Sequence, residues 1–117
     1  MKLIALQRLL LALRPVNAYL DNVPENATLP AVSYKHLNHN FTTLLDGSKT
    51  GKSDRWELKI VTVDDADIEM LVNQLETLHN SSNSDYQRIF VTVGSIGTKV
   101  KDQPFRSTTV NIKTYEV

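Results

Sequence analysis

The stretch Arg55-Trp56-Glu57-Leu58-Lys59-Ile60-Val61-Thr62-Val63 is followed at once by Asp64-Asp65-Ala66-Asp67-Ile68-Glu69-Met70-Leu71-Val72-Asn73-Gln74-Leu75-Glu76-Thr77-Leu78. Its hydrophobic period changes midway. Trp56, Leu58 and Ile60 alternate with Arg55, Glu57 and Lys59, which predicts a half-buried strand over residues 55–63. Ile68, Leu71, Val72, Leu75 and Leu78 then recur at helical spacing and share one face of a helix. Asp64 and Asp65 sit where an N-cap and first-turn negative charge stabilise a helix start. A strand feeding directly into an amphipathic helix predicts a layered α/β fold rather than an all-β one.

Working outward, residues 86–93 alternate Ile89, Val91 and Val93 against Arg88, Phe90 and Thr92, as a strand does. The same reading holds for residues 105–117, where Val110, Ile112 and Thr114 face one way and Thr109, Asn111, Lys113 and Tyr115 the other. Upstream, Leu3, Leu6, Leu10 and Leu13 form a helical stripe that Ile4 and Leu11 widen. Pro15 ends that helix, and residues 16–20 suit one further short turn. Residues 31–37 read as a strand, with Pro30 confined to its start. Between the strands, residues 38–54 and 94–104 are polar and contain glycine, so both read as long loops. The expected order is helix, strand, strand, helix, strand, strand. It describes an α/β (α+β) domain with a mostly antiparallel or mixed four-stranded sheet and helices packed on one face.

At 117 residues the chain is one domain, residues 1–117, large enough to bury a core without staples. Cysteine is absent, which removes disulfides, thiol catalysis and thiolate metal sites. Thirteen basic residues balance thirteen acidic ones, so no global field draws the chain to nucleic acid or an anionic membrane. The apolar run near the N-terminus is interrupted by Gln7 and Arg8 and leads to no small-residue cleavage motif. It is also too short to span a bilayer, so a soluble cytoplasmic protein is expected.

Several motifs suggest chemistry, and each has a plainer reading. Gly47-Ser48-Lys49-Thr50-Gly51-Lys52-Ser53 has three residues between its glycines, where a phosphate-binding loop has four. It leads into a strand instead of a helix, so no N-terminal dipole completes an anion site, and a hairpin tip is expected. His36 and His39, one in a strand and one in a loop, have no third ligand at a recognised spacing, so no metal site is expected. Asp64, Asp65 and Asp67 fit capping better than acid–base work. Asn26, Asn40 and Asn80 each begin an acceptor pattern for glycosylation but read as loop polarity. No catalytic, cofactor-binding or metal-ligating residues are therefore assigned. Lys49, Lys52 and Arg55, with Lys99, Lys101 and Arg106, put positive charge on two separate loops; they read either as solvated charge or as a partner surface. Met70 lies opposite the apolar face of its helix and is a candidate subunit contact.

The whole pattern resembles the tail terminator, or tail completion, proteins of long-tailed bacteriophages. The shared features are the leading amphipathic helix and Leu29-Pro30-Ala31-Val32-Ser33-Tyr34 opening the first strand. They continue with the strand around Asp54-Arg55-Trp56-Glu57-Leu58, the helix of residues 65–78, and the closing Ile112-Lys113-Thr114-Tyr115-Glu116-Val117. The resemblance spans nearly the full chain. It implies a structural virion protein, not an enzyme, with no cofactor. It implies a homo-oligomeric ring, typically a hexamer, on the head-proximal end of the tail tube. Its partners would be itself, the tail tube protein and a head connector or completion protein, with no membrane and no sequence-specific nucleic acid. Assembly in the host cytoplasm would place it in the virion tail, ending tube polymerisation and presenting a surface for head joining. The alternative is a small monomeric protein-binding or regulatory domain of a bacterium or prophage.

Overall fold

The computed structural model describes residues 2–12, 17–20, 29–43, 45–47, 49–99 and 104–116. Two helices, α1 (Leu3–Leu11) and α2 (Asp65–Leu78), accompany six strands: β1 (Asn17–Leu20), β2 (Ala31–Thr43), β3 (Lys49–Thr62), β4 (Tyr86–Val93), β5 (Thr98–Lys99) and β6 (Arg106–Glu116). The sheet runs in the order β1-β2-β3-β6-β4, with β5 added to β6. It is open and mixed: β1 pairs with β2 in parallel, and every other ladder is antiparallel.

The register places Val32 opposite Ile60 and Tyr34 opposite Leu58, with Trp56 opposite Ile112 and Leu58 opposite Val110. These side chains share one face, and the helices supply Leu6, Leu10, Leu71 and Leu75 to the same buried cluster. Trp56 is fully enclosed and its indole N–H donates to the Thr114 hydroxyl at 3.1 Å. The periodicity therefore identified the core correctly. Trp56, Leu58, Ile60, Ile68, Leu71, Leu75, Val110 and Ile112 are all buried, and Val91 packs partly buried against them. Asp64 caps α2 as expected, its Oδ1 accepting the Ala66 N–H at 2.8 Å.

Three expectations are corrected. Residues 17–20 are strand β1, not a helical turn, because pairing with Ala31, Val32, Ser33 and Tyr34 outweighs the weak local preference of four residues. The sheet consequently has six strands where four were expected, β5 arising inside the supposed loop of residues 94–104. Most of the supposed loop of residues 38–54 is strand. Residues 38–43 and 49–54 are the outer halves of β2 and β3, paired through Asn38–Arg55, Asn40–Ser53 and Thr42–Thr50. Most of their described side chains are exposed, Ser53 and Asp54 at the base excepted, so the apolar alternation that betrays a strand is missing. Gly47 and Gly51 take positive φ in this hairpin, at +87° and +60°, which favours glycine at both places. Residues 21–28, expected as a connector, and residues 100–103 of the expected basic loop 94–104 lie outside the described residues.

Candidate functional site

The buried face of the sheet turns polar where the hairpin leaves it. Between His36 and Asn38 the β2–β3 register shifts by one residue. His36 therefore lies opposite Trp56 and His39 opposite Asp54, and a spacing of three along the chain behaves as the two that keeps side chains on one face. The structure brings both histidines onto one carboxylate. His36 Nε2 and His39 Nδ1 each lie 2.8 Å from Asp54 Oδ1. Both rings stand on β2, which corrects the loop assignment of His39.

Asp54 is 1 % exposed, and its second oxygen, Oδ2, is enclosed with no hydrogen-bond partner among the described residues. A buried polar atom left unsatisfied costs about 1–3 kcal/mol, and more when charged. Thr114 lies directly opposite Asp54 on β6, and Glu116 follows two residues later on the same face. One donor atom each from His39, Asp54 and Glu116 fall within 4.8 Å of one another. Tyr86, opposite Glu116, closes this end of the core and is fully buried. Its hydroxyl donates to the Lys2 carbonyl at 2.9 Å, which ties the start of α1 to β4. Burial pushes the Tyr86 phenol well above its ordinary range, and the nearby carboxylates of Asp54, Asp85 and Glu116 push it further. Arg8 acts weakly in the other direction.

The residues singled out from the sequence as contacts do not converge on this cluster. Lys52 is exposed on the hairpin and Arg55 at its base; Lys49 is a β3 residue whose side chain lies outside the described set, as does Lys101 entirely. Arg55 stands on the outer face opposite Lys113, an unfavourable like-charge pair for the isolated sheet. Lys113 is held 5.0 Å over the Tyr115 ring. Lys99 is exposed on β5, and Arg106 forms a 2.7 Å ion pair with Asp65 at the start of α2. Because β6 runs antiparallel to β3, Arg106 lies beside Thr62 while Tyr115 lies beside Ser53. Lys52 and the Lys99–Arg106 pair are thus at opposite ends of the sheet, roughly 30 Å apart along β6. Met70 is exposed on the outer side of α2, over a shallow depression bordered by Ala66, Asn73 and Thr77.

Sequence reasoning missed Asp54 and Glu116 as companions of the histidines. Only the register shift at Leu37 brings His36, His39 and Asp54 to one face, and periodicity does not reveal such a shift. No helix among the described residues is long and apolar enough to cross a membrane. Comparison with known protein families finds no family model that matches the chain, and comparison with curated proteins finds no significant relative.

Proposed function

We propose that the chain is a structural subunit of a phage tail, a ring-forming cap on the head-proximal end of the tail tube. The observation that carries this reading is the hairpin arm. β1 ends opposite Tyr34 and β6 reaches only as far as Ser53, so among the described residues the outer parts of β2 and β3 pair only with each other. Leu37, Phe41 and Leu45 are exposed along this arm. An exposed strand pair with large apolar side chains is a surface suited to a neighbour, whether by edge pairing or by side-chain packing.

The shape agrees with an assembly subunit. The molecule measures 55 × 24 × 21 Å, with a radius of gyration of 15.3 Å against about 13 Å expected of a compact chain this long. A projecting arm that reaches the next subunit makes a heterologous contact, and such contacts close into a ring when the rotation divides the circle. The hairpin arm at one end and the Lys99–Arg106 surface at the other give the subunit two unlike ends. One end would meet the tube protein and the other the head connector. A cap needs this polarity, because one face must copy a tube contact and the other must refuse a further tube ring.

The test is binding to phage tail tubes polymerised in vitro from a tail tube protein of the same source. The wild-type protein should co-sediment with them. A variant in which residues 42–50 are replaced by Asn-Gly should stay folded and remain in the supernatant. Equal co-sedimentation of both, or of neither, would contradict an arm-mediated cap and favour the monomeric binding domain.

A further inference from the structure

We propose that His39, Asp54 and Glu116 form a structural site for a divalent transition metal ion of the zinc class, with His36 positioning the Asp54 carboxylate. The three donors come from three strands, β2, β3 and β6, that the register brings to one point. Their chemistry selects the ion. One imidazole with two carboxylates suits zinc and its first-row neighbours, whereas magnesium and calcium prefer all-oxygen sets. Tetrahedral ligands about 2.1 Å from zinc stand roughly 3.4 Å from each other. Donors within 4.8 Å reach that spacing by side-chain rotation of the partly exposed His39 and Glu116 around a fixed Asp54.

The independent observation is Asp54 itself. Its carboxylate is buried, Oδ1 already serves two ring nitrogens, and Oδ2 meets no donor. A buried carboxylate oxygen with no donor among the described residues is a ready ligand for a cation. Ligation through His39 Nδ1 requires the tautomer that carries its proton on Nε2. His36 then keeps its Nε2–H on Oδ1 and holds the carboxylate in place, as outer-shell partners of metal ligands do. Three protein ligands leave one position to water, and the site lies at the foot of the arm. The ion would lock the arm's direction relative to the terminal strand without taking part in any reaction.

Full-length protein stripped with a chelator is titrated with Zn²⁺ by calorimetry, and its melting is followed with and without the ion. The expected result is one ion per chain and a rise in Tm of roughly 5–10 °C at a hundredfold excess over Kd. His39→Asn and Glu116→Gln should each lose both effects while retaining the wild-type circular dichroism spectrum, and His79→Asn, away from the site, should keep both. Wild-type protein loaded with Co²⁺ supplies a readout that needs no variant: intense visible absorption of four- or five-coordinate cobalt. No saturable Zn²⁺ binding, binding that survives either ligand substitution, or a weak octahedral Co²⁺ spectrum would each overturn the site.

Discussion

At the scale of single residues, the polar end of the core is where the chain departs from simple patterning. Tyr86 is fully buried, and its phenol is raised above its ordinary range by burial and by neighbouring carboxylates. The folded protein therefore holds the phenolic proton more tightly than the unfolded chain does. Stability is full below about pH 10 and falls as pH rises past it, by up to about 1.4 kcal/mol per pH unit. Tyr86→Phe should lose about 1 kcal/mol at pH 7 with the hydrogen bond to Lys2. It should also show a shallower fall in stability than wild type between pH 10 and 12, as measured by denaturant unfolding across that range. Identical slopes would mean that Tyr86 does not titrate with folding. The sequence gives little warning of this corner. Tyr86, His36, His39, Asp54 and Glu116 are widely spaced along the chain, and only long-range register joins them.

At the scale of elements, legibility followed burial. β3, α2, β4 and β6 each place a covered face against an exposed one, so their periods were plain in the sequence; the bounds of α2, β4 and β6 were found nearly to the residue, whereas β3 begins six residues before the expected Arg55. β1 is too short to show a period, and most of the arm's described side chains are exposed. Both were misread for that physical reason. The distinction predicts how each element responds to change. Leu71→Ala or Leu75→Ala removes a fully buried side chain of α2 and should cost roughly 2–5 kcal/mol in chemical denaturation. Asp64→Ala should cost about 1 kcal/mol, because it leaves the Ala66 N–H without its cap. Replacing residues 42–50 with Asn-Gly closes the hairpin early with a two-residue turn suited to it. Its Tm should stay within about 2 °C of wild type by calorimetry, since Thr42 and residues 45–47 are exposed. A larger drop would show that the arm is part of the folding unit.

At the scale of the whole molecule, the fold class was readable, whereas the distribution of contact surfaces was only half readable. The sequence marks the positive charges but not their placement at opposite ends of a long sheet, which depends on the antiparallel pairing of β3 with β6. Nor does it show that Arg106 is engaged with Asp65, which leaves Lys99 as the more available charge at that end. The molecule is elongated, with the hairpin arm at one end and the Lys99–Arg106 surface at the other, and the proposed cap rests on that arrangement. The measurement that tests this most directly is electron microscopy of tail tubes polymerised with and without the protein. The account predicts a ring of this chain at one end only of each tube, and tubes that stop growing once the ring is in place. Tubes that lengthen equally in its presence, with both ends bare, would contradict it.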